Sequence, residues 1–497
     1  MPMLVVFGAA VIGVLIEAFA PRRLRFSLQV ALTLSALVVA LGFVIANAGA
    51  HAITIEGSVA IDGPTLFIQG AVLIMSIVSV LLFAERRLDA GLDAFAPAAS
   101  TLPGSLAERT LTQRRFLQTE VYPLTLFAIG GMLLFPAAND LLTMFVALEV
   151  LSLPLYLLCG MARRRRLLSQ EAALKYFLLG AFSSAFLLYG IALVYGFAGS
   201  IELAGIDQAV TANVGMDGLL LTGVGLMAMG LLFKIGAAPF HSWTPDVYQG
   251  APTPVTAFMA ACTKIAAFGA LVRIFYVAFG GIAVDWEPMM WIVAILTMAV
   301  GSIVALTQTD VKRMLAYSSI AHAGFILVGF IAADQSGLSS VLFYLAVYGI
   351  STIGAFAVVT LIRDAGGEAT NLARWNGLGK RSPLVAGIFA LFLLAFAGIP
   401  LTSGFVGKLV VFGAAIDAGD APLVVIGLIA SAIAAFFYVR VIVRMFFMDP
   451  APEGPTVAVP SLLTTVSIAV AVAATVVLGI LPGPLLDLAE AAGTFVR

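Results

Sequence analysis

Four of the six lysines in this chain lie inside long apolar segments rather than in the polar connections between them. They are Lys175, Lys234, Lys264 and Lys408, and Glu149 occupies a comparable position. A charged group at the centre of a membrane-spanning helix costs about 2.5–3.5 kcal/mol on insertion scales. Five such residues are therefore expected to share one explanation, in which the charges face one another, water or a function.

These residue types suit the handling of protons. Burial disfavours the charged form of a lysine and a nearby carboxylate favours it, so a moving carboxylate can drive the loading and release of a proton. Glu149 and Lys175 lie at similar depth in a predicted antiparallel hairpin, which predicts an ion pair between them. Lys234 and Lys264 both fall near mid-membrane. His322 is a candidate relay, because an imidazole ordinarily titrates at about pH 6.5.

Composition sets the class of protein that must position these groups. Hydrophobic residues make up 61% of the chain and charged residues 11%, with a mean hydropathy of +1.08. These values predict an all-α polytopic membrane protein. The net charge of −1 argues against a nucleic-acid partner. Cys159 and Cys262 lack the spacing of a metal site or a CxxC motif, so neither a metal nor a disulfide is expected.

About 20 apolar residues cross a bilayer, and segments of that length indicate about 14 spans. They lie near 3–20, 27–47, 65–84, 119–136, 139–160, 170–197, 217–242, 253–279, 290–307, 314–333, 338–362, 384–414, 422–440 and 461–482.

Lysine and arginine collect in alternate connections between these segments. One set of connections contains Arg22, Arg23, Arg25, Arg86, Arg87, Arg109, Arg114, Arg115, Arg163 to Arg166, Lys312, Arg313, Arg363, Arg374, Lys380, Arg381, Arg440 and Arg444. Short cytoplasmic loops are rich in these residues, so this set is predicted to lie inside and both termini outside.

Segments seven and twelve are long and interrupted. The seventh contains Pro239, and the twelfth contains Gly398-Ile399-Pro400 before Lys408. Two broken helices running in opposite directions are typical of an inverted repeat with an ion site near the bilayer midplane. We therefore expect discontinuous helices 7 and 12, with one five-helix repeat in each half. The predicted division is 1–118, three helices and a cytoplasmic loop; 119–280, helices 4–8; 281–446, helices 9–13; and 447–497, helix 14.

Four stretches resemble the N-type antiporter-like subunits of proton-pumping NADH:quinone oxidoreductase, respiratory complex I. The resemblance covers residues 119 to 446, and its stretches are EAALKYFLLGAFSSAFLLYG, KIGAAPFHSWTPDVYQGAPTPVTAF, QTDVKRMLAYSSIAHAGFILVG and LAFAGIPLTSGFVGK. It implies that Glu149, Lys175, Lys234, Lys264, His322 and Lys408 carry proton translocation along a mid-membrane axis, and that helix breaks lie at Pro239 and Pro400.

The same resemblance implies a hetero-oligomeric setting. The expected partners are neighbouring antiporter-like subunits, other membrane subunits of complex I, and lipids of a bacterial plasma membrane. No cofactor is expected in this chain, which lacks a dinucleotide fingerprint and a cysteine cluster for iron–sulfur. FMN, iron–sulfur clusters and quinone are expected in partner subunits.

Alternatives stay open on the sequence alone. The chain could be a subunit of a Mrp-type sodium/proton antiporter or of a membrane-bound hydrogenase, or a scaffold whose axis no longer pumps. Lys175 could reach the inner surface, and Lys234 and Lys264 could form a purely structural pair. Arg273 is interpreted as an interface anchor that faces Asp285 or Glu287.

Overall fold

The computed structural model describes residues 1–88, 92–96, 102, 105–106, 110, 117–212, 217–364, 366–450 and 454–496. Three of the arginines predicted to lie inside, Arg109, Arg114 and Arg115, fall outside the described residues. The described chain is mainly helical, as the apolar segments predict. The helices of the first part are α1 Pro2–Phe19, α2 Arg22–Ala46, α3 Gly63–Phe83, α4 Val121–Leu134, α5 Leu141–Cys159, α6 Arg166–Ala198, α7 Leu203–Ala212, α8 Asp217–Ile235, α9 Trp243–Gly250, α10 Thr253–Phe258 and α11 Lys264–Arg273.

The later helices follow the same pattern of long apolar segments joined by short connections. They are α12 Ala283–Ala305, α13 Val311–Ile331, α14 Gln335–Leu361, α15 Leu378–Arg381, α16 Pro383–Ala397, α17 Ser403–Asp417, α18 Ala421–Phe447, α19 Leu462–Ile480 and α20 Gly483–Ala491. Short strands lie in the connections: β1 Ala52–Thr54 pairs with β2 Val59–Ile61, and β3 Ile362–Asp364 lies between β4 Gly367–Glu368 and β5 Thr456–Val457, all antiparallel.

Among the described residues, 12 helices are long and apolar enough to cross a membrane. Two shorter apolar stretches, Val121–Ala137 and Pro383–Ala397, occur where the fourth and twelfth spans are predicted. The all-α polytopic class is thus confirmed. The count of 14, the domain boundaries and the inverted repeat stay predictions.

Aspartates begin several of these helices, because a side-chain oxygen can accept from the free backbone N–H groups of the first turn. In each cap a backbone N–H donates to an aspartate Oδ1: Thr65 to Asp62 at 3.1 Å, Thr143 to Asp140 at 2.7 Å, Lys312 to Asp310 at 2.9 Å and Gly337 to Asp334 at 2.6 Å. Each aspartate directly precedes its helix, so these caps fix where the helix begins.

The helix ends form two faces. At the basic face, the Arg163 N–H donates to Ala94 O at 2.9 Å and the Arg440 guanidinium donates to Leu306 O. At the opposite end, called the terminal face, the Asn139 N–H donates to Ser58 O at 2.8 Å, and residues 492–496 pack beside Asp62. The first two contacts join connections that are predicted to lie inside, and the other two join connections that are predicted to lie outside; the orientation in the membrane stays a prediction.

Both predicted helix breaks are present. Helix α8 ends at Ile235 and α9 begins at Trp243, while α16 ends at Ala397 and α17 begins at Ser403. Each first half ends in a left-handed glycine, Gly236 at φ +80° and Gly398 at φ +82°. Glycine adopts this conformation without the steric cost that a Cβ would add.

The two breaks also share a hydrogen-bond pattern. The Ala237 N–H donates to Leu232 O at 2.9 Å, and the Ile399 N–H donates to Leu394 O at 3.0 Å. In both cases the bond closes the last turn of the first half, and a proline follows in the non-helical link. Pro239 and Pro400 therefore lie in these links, as predicted.

The predicted eighth span is the core of the bundle. All residues of α10 and α11 are buried, and so are those of the π-helical turn Met259–Thr263 between them. A second π-helical turn, Ile274–Ala278, follows α11. Hydropathy predicts the span, but the two π turns depend on local packing and were not expected. They change the direction in which α11 presents its side chains.

Candidate functional site

Lys234 lies in the last turn of α8, two residues before the left-handed Gly236. Its side chain is buried, and its Nζ donates to Ser152 Oγ at 2.7 Å and Tyr176 OH at 3.1 Å. The ammonium also lies 5.1 Å from the centroid of the Tyr176 ring. Two hydroxyls and an aromatic face therefore replace the water that the charge loses on burial.

Lys264 is the first residue of α11 and directly follows the π-helical turn Met259–Thr263. Its Nζ donates to two oxygens of one residue, Ser319 O at 2.5 Å and Ser319 Oγ at 2.6 Å. The ring of Tyr348 lies 5.7 Å from the ammonium. A π turn often marks a functional position in a helix, and here it adjoins the buried charge.

His322 lies on α13, three residues after Ser319 and thus on the same helix face. Its Nδ1 is 2.8 Å from Tyr344 OH and its Nε2 is 3.3 Å from Tyr438 OH. A neutral imidazole has one donor and one acceptor nitrogen, so one hydroxyl donates while the other accepts. Exchange of these roles moves a proton from one side of the ring to the other.

Lys408 lies on α17 and points back to the break in its own segment. Its Nζ donates to Phe396 O at 3.0 Å, Ala397 O at 2.9 Å and Ser431 Oγ at 2.8 Å. The two carbonyls belong to the last turn of α16, whose carbonyl groups have no partner within the helix. The interruption of the helix thus supplies the acceptors for the charge.

These groups form a buried line with one looser junction. Lys264 and His322 share Tyr348, since its ring lies 5.7 Å from the Lys264 ammonium and stacks on the His322 ring at 4.5 Å. Phe325 lies 5.6 Å from His322 and 4.9 Å from the Lys408 ammonium, as ring-centroid distances. The Lys234 group is separate and is linked through aromatic rings: Tyr176 stacks on Trp243 at 4.7 Å, Trp243 packs against Tyr248 at 6.3 Å, and Tyr248 interacts with Ser319, the partner of Lys264.

The three buried ammonium groups lack carboxylate partners. Within the described part of the chain, no Asp or Glu oxygen lies within 4.0 Å of the Nζ of Lys234, Lys264 or Lys408. Buried lysines are usually paired with an acid, because an isolated charge is costly in apolar surroundings. Hydroxyls and carbonyls hold these three charges instead.

The predicted ion pair between Glu149 and Lys175 is absent. Lys175 Nζ lies 2.6 Å from Glu171 Oε1 and 2.6 Å from Asp246 Oδ2, and its side chain is 40% exposed. The predicted pair was wrong because α6 begins at Arg166 and presents Lys175 to α9. The prediction compared only the depths of Glu149 and Lys175 and did not consider α9. Glu149 lies three residues before Ser152, the partner of Lys234, and no described residue hydrogen-bonds its Oε1.

Hydroxyl groups hold the charges of the site, and the sequence did not predict them. The hydroxyl groups that bond the three buried lysines and His322 belong to Ser152, Tyr176, Ser319, Tyr344, Tyr438 and Ser431. One of these residues was recognisable from the sequence, because Ser319 lies three residues before His322 on the same predicted helix. The remaining partners come from helices distant in the chain.

Lys312 lies deeper than its predicted loop position implies. It occupies the first turn of α13, is 2% exposed, and donates to Ala251 O at 2.8 Å. It borders a cavity of about 80 Å³ at the basic face, which is also lined by Glu368, Thr253 and Thr370. The cavity is large enough for several water molecules, and its lining contains both polar and apolar groups.

Arg273 does not face Asp285 or Glu287. Its guanidinium bonds Asp62 Oδ1 at 2.7 Å, and both side chains are fully buried. Burial alone would raise the pKa of the Asp62 carboxyl, but the charge of Arg273 and hydrogen bonds from Arg273 and Thr65 outweigh burial and lower that pKa. The interface-anchor interpretation was wrong because the partner lies on a loop 211 residues away.

Comparison with known families agrees with this architecture. The model of the family described as "NADH:quinone oxidoreductase/Mrp antiporter, TM" matches residues 138–434, which contain the whole buried line. The chain belongs to this family.

Individual members of the family are also similar along the full chain. The protein named NADH-quinone oxidoreductase subunit N from Rhodococcus opacus (strain B4) is 62% identical over 515 aligned residues, covering 100% of this chain and 95% of the relative. The protein of the same name from Acidothermus cellulolyticus is 61% identical over 498 residues, covering 100% of this chain and 96% of the relative.

Two solved structures have a similar fold. A chain of respiratory complex I from Thermus thermophilus with bound aureothin has a TM-score of 0.79 at 33% identity, and 99% of this chain and 100% of that chain are covered. A chain of the Mrp complex from Dietzia sp. DQ12-45-1b has a TM-score of 0.82 at 22% identity, covering 99% and 96%. The second likeness concerns the fold alone.

Proposed function

We propose that this chain is a proton-translocating membrane subunit of NADH:quinone oxidoreductase. The observation that carries the proposal is the buried line of Lys234, Lys264, His322 and Lys408, whose three ammonium groups bond hydroxyls and carbonyls rather than carboxylates. An ammonium without a counter-ion can give up its proton at a smaller cost than a paired one. The line is thus suited to passing protons between adjacent groups.

Transfer between Lys264 and His322 is the best-defined step. The Lys264 ammonium gives a proton to Ser319 Oγ while the Ser319 hydroxyl proton passes to a water molecule, which carries it to a tyrosine hydroxyl beside His322; the lysine becomes a neutral amine and the serine stays neutral. A proton that reaches one ring nitrogen of His322 is matched by loss of a proton from the other nitrogen to a tyrosine hydroxyl. The proton then lies at a tyrosine hydroxyl beside His322, and a water molecule must carry it on to Lys408, because the contact between His322 and that lysine runs through the ring of Phe325, which carries no proton.

Glu149 has a controlling role in this proposal. It lies one helical turn from Ser152, so a small movement of α5 brings its carboxylate toward the Lys234 ammonium. An approaching carboxylate stabilises the charged lysine, and a retreating one releases the proton. Lys175 sits in an exposed cluster with Glu171 and Asp246, and it adjusts the position of α9 rather than carrying protons itself.

The helix breaks and the basic-face cavity provide access for water. Residues 236–242 and 398–402 are non-helical, and such links are tolerated in a membrane where they line protein or water. Lys312 and Glu368 border the cavity at the basic face. The positive-inside rule assigns that face to the cytoplasm, so protons are taken up there and both termini lie outside.

Electron transfer takes place in partner subunits. The relatives from Rhodococcus opacus and Acidothermus cellulolyticus are named as subunits of NADH-quinone oxidoreductase. FMN, iron–sulfur clusters and quinone belong to other subunits, and this chain contacts neighbouring antiporter-like subunits in a bacterial plasma membrane. An antiporter of the Mrp type is the second candidate, because the Mrp chain from Dietzia shares the fold.

The proposal is tested by purification followed by pumping. A tagged chain, extracted in mild detergent, should bring NADH:quinone reductase activity and flavin with it. In proteoliposomes, Lys234→Ala should then lower the number of protons moved per NADH while the complex stays assembled. Absence of reductase activity from an intact preparation, together with sodium-driven proton exchange in vesicles, would favour the antiporter. Full pumping by an assembled Lys234→Ala complex would indicate a scaffold.

A further inference from the structure

The ion pair of Arg273 and Asp62 takes no part in the buried line, yet it is built with many bonds. Arg273 Nη2 donates to Asp62 Oδ1 at 2.7 Å, to Asp62 Oδ2 at 2.8 Å and to Thr65 Oγ1 at 2.6 Å. Its Nε donates to Pro136 O at 2.6 Å. Both charged side chains have 0% exposure. Taking two charged groups out of water is costly, so this pair needs an explanation other than a surface anchor.

The C-terminal tail, residues 492–496, covers this pair. The Phe495 ring lies 4.9 Å from Arg273 Cζ, and the Val496 N–H donates to Asp62 Oδ2 at 3.1 Å. At Gly63, an added Cβ would lie 2.6 Å from Ala492 O, so the tail backbone packs directly on the start of α3. The tail is therefore held by a hydrogen bond, a cation–π contact and close backbone packing.

Solvent approaches the pair from the terminal face. A cavity of about 550 Å³ opens there, lined by Asp207, Tyr276, Trp286, Asp334 and Phe495 among others. Phe495 borders this cavity on one side and covers the Arg273 guanidinium on the other. Water thus reaches the tail while the guanidinium behind it stays dry.

The pair lies between that cavity and the buried line. Helix α11 begins with Lys264 and ends with Arg273, and nine residues of α-helix span about 13.5 Å. A proton that entered from the terminal face along this helix would have to pass the guanidinium before reaching Lys264. An arginine does not deprotonate in proteins, so it repels a cation and cannot relay a proton.

We infer that the Arg273–Asp62 pair and the tail over it form an insulating seal that prevents protons from returning along α11 to Lys264. The arginine supplies a fixed positive charge, Asp62 and Pro136 hold it in place, and Phe495 excludes water. The inference rests on the proposed function, since a chain that stores no proton gradient has no need of this insulation. Arg273 is a positioning and insulating residue, separate from the groups that carry protons.

The test measures passive proton flow through the whole complex in proteoliposomes, in the absence of NADH. A pH difference is imposed across the vesicles, and its decay is followed with an enclosed pH-sensitive dye. Phe495→Ala and Arg273→Met should each speed the decay several-fold, and Arg273→Lys should still leak more than the wild type, because a buried lysine can give up its proton where an arginine cannot. With NADH present, electron transfer should stay unchanged while the protons retained per NADH fall.

Two controls separate insulation from general damage. Vesicle permeability to K⁺ should stay at the wild-type level, because a disordered bundle would admit K⁺ as well as protons. Lys380→Ala removes an exposed ion pair to Asp449 at 2.7 Å and should not change the proton leak. If Arg273→Met fails to assemble, Phe495→Ala and Asp62→Asn decide the outcome.

Wild-type decay in the assembled variants would overturn the inference. The leak is measured without turnover, so it also separates this inference from the pumping proposal. Full pumping by Lys234→Ala would end the pumping proposal while the leak could still be read.

Discussion

The ammonium of Lys408 lies 2.9 Å from the carbonyl oxygen of Ala397, the last residue of α16 and 11 residues earlier in the chain. The C-terminal end of a helix carries partial negative charge, which favours a cation there. Lys408 therefore caps the first half of the broken segment from a position in the second half. Loss of its proton removes the charge that this helix end favours, so the state of the lysine is coupled to the geometry of the break.

Replacing Lys408 should uncouple the break from proton movement. Lys408→Met keeps the apolar stem but removes the donor to Phe396 O and Ala397 O. Leaving buried polar groups without partners costs about 1–3 kcal/mol, so we expect lower thermal stability of the complex as well as pumping reduced several-fold. Proton movement per NADH and a melting curve test this, with Lys380→Met as an exposed-lysine control. Unchanged pumping in the Lys408→Met complex would refute the role.

Tyr344 should hold His322 in the orientation that relays protons. Its hydroxyl is 2.8 Å from His322 Nδ1, so Tyr344→Phe removes one of the two partners of the ring and keeps the aromatic volume. Loss of such a hydrogen bond costs about 0.5–1.5 kcal/mol, so the complex should assemble while pumping slows several-fold. The matched control is Tyr189→Phe, because Tyr189 is 61% exposed. Equal pumping rates in the two variants would remove Tyr344 from the relay.

Replacing Lys175 should lower proton pumping far less than replacing Lys234, although both lysines lie within predicted spans. The cluster of Lys175 with Glu171 and Asp246 is 31–54% exposed, and such ion pairs contribute about 0–1 kcal/mol. Lys175→Ala should leave stability nearly unchanged and lower pumping much less than Lys234→Ala does. Parallel measurements of protons moved per NADH check the order, and a larger loss in Lys175→Ala would reverse the assignment.

Gly407 should be intolerant of a side chain, because an added Cβ would lie 2.2 Å from Tyr344 Cδ2. Forced overpacking costs about 1–3 kcal/mol, so Gly407→Ala should destabilise the complex and displace Tyr344 from His322. Gly413 on the same helix has no atom within 4 Å of an added Cβ. Gly413→Ala should be neutral, or stabilising by up to about 1 kcal/mol. Melting curves of the two variants that coincide would contradict the packing argument.

The amino-acid sequence alone determined the class, the two broken segments and the list of charged candidates. Hydropathy over about 20 residues is a local property, and it predicts spans before any contact is known. Pro239, Gly398 and Pro400 also act locally, through backbone restriction. The observed ends of α8 and α16 follow from these residues. Buried lysines were recognisable as candidates because their cost in an apolar segment does not depend on the fold.

Only the tertiary structure decided which groups meet. Lys175 bonds Asp246, 71 residues away, and Arg273 bonds Asp62, 211 residues away. The depth of a residue in the membrane limits which residues it can reach. Which of them it bonds depends on which helix faces pack together and on how each helix is rotated about its axis. The two π-helical turns that flank α11 alter that rotation. The partners of a side chain are set by packing between segments that are distant in the chain. The residue pattern of one segment does not show which other segments pack against it.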